Sequence, residues 1–159
     1  MNVTTRLNLS GCEVAVEIDN SSGISVDVAA LQAQAEFLIT ALSLHPECEL
    51  SIAIVDVDRM TQLHVEWMDE PGPTDVLSFP MDELSEGDAE PGMLGDIVLC
   101  PVVAAEQAQA AGHSAQAEFE LLLTHGMLHL LGHDHEEEEE HRVMFARQDE
   151  LLAAWRVGR

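Results

Sequence analysis

His125-Gly126-Met127-Leu128-His129-Leu130-Leu131-Gly132-His133-Asp134-His135 carries three features that constrain the whole chain. His125 and His129 are four residues apart, so on a helix both rings lie on one face and reach one cation. Gly132 then ends the helix. Glycine takes the left-handed backbone without steric cost, and the chain can return His135 toward the first two rings. Three imidazole nitrogens on a tetrahedral ion leave its fourth position for water, the arrangement of a catalytic rather than a closed structural site. A single buried histidine is usually a satisfied core residue, but three at this spacing around a glycine argue against that reading.

The spacing H-x-x-x-H-x-x-G-x-x-H is that of metzincin proteases, in which a glutamate follows the first histidine. Gly126 stands there instead. That glutamate is the protease's general base, so the motif argues for zinc hydrolase chemistry and against peptide hydrolysis.

The chain of 159 residues has the length of one domain, spanning 1–159, and 47% hydrophobic residues suffice for a sizeable core. It contains no apolar run of roughly eighteen residues, and 1–10 is too polar for a signal peptide, so a cytoplasmic protein without a membrane partner is expected. Cys12, Cys48 and Cys100 are odd in number and set among apolar residues, which predicts reduced, buried thiols. Charge is the unusual quantity. Thirty acidic residues against six arginines and no lysine give a net charge of -24, which repels nucleic acid at long range and lacks the basic stripe of a generic RNA binder. Such acidity suits work at high ionic strength, where screening is short-ranged.

Residues 1–11 are polar and read as irregular; Glu13 to Asp19 alternates as a half-buried strand does, with a turn at Asn20-Ser21-Ser22-Gly23. Apolar residues at helical spacing from Val26 to Leu44 predict an amphipathic helix that His45-Pro46 stops. Glu49 to Val55 is a second strand, and a helical connection lets it lie parallel to the first. A short helix over Asp56 to Trp67 places Met60, Leu63, His64 and Trp67 on one face, His64 as packing or surface rather than ligand. Thr74-Asp75-Val76-Leu77-Ser78-Phe79-Pro80 is a strand whose proline favours an edge. After an acidic loop it pairs as a hairpin with Leu94-Gly95-Asp96-Ile97-Val98-Leu99-Cys100. Helices follow over Val102 to Ala111 and Ala115 to Leu131, the second buried and carrying His125 and His129. The last helix begins among Glu136 to Glu140, whose charges favour its positive end, and packs through Leu151, Leu152 and Trp155.

Three of these segments together, T-D-V-L-S-F-P, L-G-D-I-V-L-C and H-G-x-L-H-L-x-G-x-D-H, in this order, make the chain resemble the YbeY family of bacterial rRNA maturation factors, roughly from Leu50 to Met144. The resemblance implies an α+β fold, a small mixed four-stranded sheet with surrounding helices and a central metal-bearing helix with a zincin-like site. It implies one Zn2+ on His125, His129 and His135, and a single-strand-specific endoribonuclease acting in rRNA processing, 16S rRNA 3' end maturation and ribosome quality control. Its partners would be rRNA, ribosomal particles and basic ribosomal proteins. The chain departs from the family at His133, where tyrosine is common. There a surface role, or one supporting the ligands, is favoured over ligation. It departs again at Met68-Asp69-Glu70, where a basic residue common in the family has no counterpart. Arg59 is the nearest upstream arginine and a candidate phosphate contact, with a surface helix charge as the equal alternative.

On that reading Gly126 leaves room beside the ion for a phosphodiester. The proton acceptor is Asp134 or the hydroxide itself; Asp134 has two other readings open, orienting a ligand imidazole or capping the final helix. Asp75 and Asp96 could face the cleft or satisfy backbone donors at strand ends. The rival readings are a zinc peptidase or other metal hydrolase, and a ribosome-assembly factor that acts by binding alone.

Overall fold

The computed structural model describes Arg6–Leu7, Glu13–Val14 and residues 16–158. Two short strands, β1 (Arg6–Leu7) and β2 (Glu13–Val14), pair antiparallel. The chain continues as β3 (Val16–Asn20), α1 (Val28–Ala41), β4 (Glu49–Ile54), α2 (Val57–Met68), β5 (Val76–Pro80), β6 (Met93–Leu99), α3 (Pro101–Ala111), α4 (Ala115–Leu130) and α5 (Glu138–Val157). The main sheet has the order β3-β4-β6-β5, parallel across its first three strands and antiparallel between β5 and β6. This is the mixed four-stranded sheet of an α+β fold that the sequence predicts. β5 is an edge strand, as its proline favours, because proline lacks the N–H that a second neighbour would need.

Strand alternation sorts the two faces of the sheet. Leu50, Ile52 and Ile54 of β4 and Ile97 and Leu99 of β6 are buried in one cluster with Leu31, Ala35 and Leu38 of α1 and Leu122, Leu123 and Met127 of α4. On the opposite face Val55, Leu77, Val98 and Cys100 meet Met60 of α2. Asp27, Asp56 and Ser114 start α1, α2 and α4 by accepting from the backbone N–H three residues on, at 3.0, 2.8 and 3.1 Å. Each such cap contributes ~1 kcal/mol. α4 lies at the centre: it packs on β5, β6, α1, α3 and α5. Its buried residues go round the helix, from Phe119 and Glu120 to Met127 and Leu130, as a helix enclosed on every side requires.

The alternation from Glu13 to Asp19 predicts one strand, and the structure divides it. Glu13–Val14 pairs with Arg6–Leu7, whereas Val16–Asn20 pairs with β4. Alternation reports which side chains are buried, not which strand supplies the hydrogen bonds. For the same reason Arg6–Leu7 is a strand within a segment that reads as irregular; Cys12 and the rest of 1–11 lie outside the described residues. Cys48 and Cys100 are buried free thiols. Trp67 is 61% exposed, although its ring meets Phe79 of β5 edge-on at 6.0 Å. Among the described residues no helix is long and apolar enough to cross a membrane.

Candidate metal centre

The last turn of α4 aims His125 and His129 the same way, and the chain then reverses. Leu131 closes the helix; the Gly132 N–H donates to His129 O at 3.1 Å and the His133 N–H to Leu128 O at 3.1 Å, with Gly132 at φ 90°. That is the bonding pattern of a glycine-terminated helix. It brings His135 back, so that its ring lies 5.7 Å from that of His125 and 5.2 Å from that of His129. One ligand atom from each of the three lies within 4.8 Å of the other two, a group able to hold a metal ion.

The nitrogens are prepared for that task. His129 Nδ1 is 2.9 Å from the carbonyl oxygen of His133, and His125 Nδ1 is 2.9 Å from Gln148 Oε1. The His133 carbonyl can only accept, so a neutral His129 carries its proton on Nδ1 and a lone pair on Nε2; an Nδ1–H on His125 donating to Gln148 Oε1 would free the second Nε2 as well. The two Nε2 atoms stand 3.1 Å apart. Nitrogens bound to one tetrahedral ion at ~2.0–2.1 Å stand about 3.3–3.4 Å from each other, so this pair is close to ligating separation and the donor set fits zinc. Both rings are half-buried, and burial holds both pKa values below the ordinary 6.5. For His125 the Gln148 bond opposes this, His135 adds to it and Asp75 opposes it; for His129 the neighbouring His125 is the second lowering influence. The outcome is neutral imidazole, the form a metal needs.

His133 is not in the histidine group; it acts through its backbone carbonyl. Asp134 does not cap α5, whose N-cap is Glu137; its Oδ1 accepts the His135 N–H at 2.7 Å, and its charge reaches His129. Asp75 takes the second of its two alternatives, the backbone donor, and lies near enough to the site to act on it electrostatically. Its Oδ1 accepts the Val76 N–H at 2.7 Å at the strand end, and its charge reaches His125. Asp96 is exposed and shares the parity of Val98 and Cys100, so it faces away from α4 and out of the site. Arg59 is exposed at the start of α2, its guanidinium donating to Gln62 Oε1 at 3.3 Å. His64 Nδ1 bonds the Gly72 carbonyl at 2.9 Å, a packing role.

Gly126 requires a correction. A Cβ on it would lie 3.1 Å from Ser78 Oγ and 3.2 Å from Ile97 Cγ2. Its missing side chain therefore makes room for the sheet, not for a phosphodiester beside the ion. Ser78 Oγ also donates to the Gly126 carbonyl at 3.1 Å, which ties β5 to the ligand-bearing turn.

Sequence reasoning missed Gln148 and Phe145. Phe145 walls the site, its ring 5.8 Å from His125 and 6.3 Å from His135. Gln148 had a signal: it falls on the stripe of Met144, Leu151 and Leu152, where a polar residue needs a partner.

The family model described as Endoribonuclease YbeY matches residues 17–156. A relative named Endoribonuclease YbeY from Thermobifida fusca is 56% identical over 147 residues, covering 90% of this chain and 95% of its own. One from Acidothermus cellulolyticus is 56% identical over 154 residues, covering 92% and 94%. The solution structure of TM1509 from Thermotoga maritima aligns with a TM-score of 0.61 at 25% identity, over 90% of this chain and 93% of that one. The match runs from β3 through the three histidines and into α5, the whole of the framework that builds the site. On that ground the chain belongs to the YbeY endoribonuclease family.

Proposed function

We propose that this chain is a zinc-dependent endoribonuclease that cuts single-stranded RNA, with rRNA in ribosomal particles as its substrate and 16S rRNA 3' end maturation in the cytoplasm as its task. The observation that carries the reading is the convergence of the His125 and His129 Nε2 atoms, with His135 beside them. His125, His129 and His135 hold the ion. When bound, it lowers the pKa of a water toward about 7 and polarises a phosphoryl oxygen.

The protein's own groups do the rest. Gln148 and the His133 carbonyl keep the ligand rings oriented. On this reading Asp134, exposed on the loop between His129 and His135 and bonded to the His135 N–H, accepts the proton of the attacking water. As that water bonds to phosphorus, the P–O bond to the leaving ribose breaks and the freed ribose oxygen takes up a proton from solvent. Arg59 contacts a flanking phosphate. Two other arginines are already engaged, Arg147 with Glu86 at 2.5 Å and Glu150 at 3.0 Å, and Arg142 with Glu139 at 2.5 Å. The acidic surface favours meeting RNA within a particle that carries basic ribosomal proteins.

Cleavage of a labelled single-stranded RNA and of its duplex, with and without chelator, tests the reading. Cleavage of the single strand that stops with chelator supports it. Binding to ribosomal particles without any cleavage by the metal-loaded protein would favour the assembly-factor alternative.

A further inference from the structure

We propose that Gln148 is a positioning residue that selects the tautomer of His125, holding its proton on Nδ1 so that Nε2 is ready for a metal. This rests on the reading that His125, His129 and His135 hold that metal.

The two ligand rings of α4 are fixed by unlike groups. His129 Nδ1 faces a backbone carbonyl, that of His133, which can only accept. Neutral His129 therefore always has a bare Nε2. His125 has no such guarantee. With its proton on Nε2, it would donate to His129 Nε2, 3.1 Å away; the two rings would satisfy each other, and His125 would have no lone pair for an ion. With its proton on Nδ1, both lone pairs face the same space, open to a cation.

The group opposite His125 Nδ1 decides between these states, and that group is the side-chain amide of Gln148, with Oε1 at 2.9 Å. An amide can present either its oxygen or its nitrogen, and here the oxygen faces the ring. Gln148 is 3% exposed and shares the buried stripe of α5 with Met144 and Leu151, so water does not compete for the contact. It reaches His125 across 23 residues from a separate helix. A final helix that supplies none of the three ligands thereby sets the state of one of them. The prediction is specific: a carboxylate at 148, which only accepts, keeps the site ready, whereas an apolar side chain of the same length releases His125 into the mutually bonded pair.

The test uses the full chain and two variants, Gln148→Glu and the volume-conserving Gln148→Met. Long-range proton–nitrogen NMR on the chelator-treated proteins reads which His125 nitrogen carries the proton, and competition against a chelator reads Zn2+ affinity. Expected are an Nδ1 proton in the native chain and in Gln148→Glu, and an Nε2 population in Gln148→Met with Zn2+ bound roughly 10–100-fold more weakly. Three results would overturn the proposal: native affinity in Gln148→Met, weakened affinity there with the Nδ1 tautomer intact, or Gln148→Glu binding as poorly as Gln148→Met. Should Gln148→Met fail to fold, the native tautomer and Gln148→Glu still decide. A native chain that binds no Zn2+ would sink the metal reading instead, and the tautomer spectrum would still judge Gln148.

Discussion

The Nε2 atoms of His125 and His129 stand 3.1 Å apart, while the opposite nitrogen of each ring is held by an oxygen, Gln148 Oε1 for one and the His133 carbonyl for the other. Two lone pairs at that distance repel unless a proton or a metal ion lies between them. The fold holds them there through the glycine-terminated end of α4 and the packing of α5.

Metal content separates the histidines. His129→Ala should remove most of the roughly one ion per chain expected from a three-histidine site. His133→Ala should remove little, since the contact at that position is a backbone carbonyl that alanine keeps. Elemental analysis of the purified variants checks this, and equal losses from both would mean a different ligand set.

Gly126→Glu restores the protease letters and should give no peptidase. The new side chain points at Ser78 and Ile97, in a buried helix–sheet contact. The expected result is a loss of ~1–3 kcal/mol from overpacking, with a further cost for the buried charge. Denaturant unfolding and a peptide-cleavage assay measure the two halves. Peptide cleavage by the variant at native stability would contradict the account.

Acid should oppose both folding and metal binding. Burial lowers the pKa of His125 and His129 below 6.5, so below that pH the unfolded chain binds more protons than the folded one. The metal-free protein should lose this stability as pH falls through 6.5 toward the folded values. Zn2+ affinity should hold through 6.5 and decline only as pH falls toward the lowered folded values. Comparing the pH dependence of unfolding with that of His125→Ala isolates the contribution; identical slopes would exclude it.

Much of this was legible because the determinants are local. The turn from His129 to His135 follows from Gly132, and the edge position of β5 follows from Pro80. What was illegible depends on direction or on distant partners. The letters at Gly126 do not say that its absent Cβ faces Ile97, and the alternation through Glu13–Asp19 does not show that the strand changes partner near residue 15. Gln148 was half-visible as a polar residue on an apolar stripe, but its partner lies 23 residues away in sequence.

Salt should affect RNA cleavage weakly. An ordinary nuclease loses affinity steeply as salt rises because it releases counterions from phosphates. With a net charge of -24 and no lysine, screening instead relieves repulsion between this chain and its substrate. A cleavage series over salt should be shallow or inverted on free RNA, and faster on ribosomal particles. A steep fall with salt would show that strong cationic contacts exist.

If the ion held by His125, His129 and His135 is the one that cuts RNA, titrating Zn2+ into chelator-stripped protein while following cleavage of a single-stranded RNA reads it out. Activity should rise from zero and level off at about one ion per chain, with His125→Ala inactive throughout. Cleavage that is independent of Zn2+, or that survives in His125→Ala, would mean that another centre does the cutting.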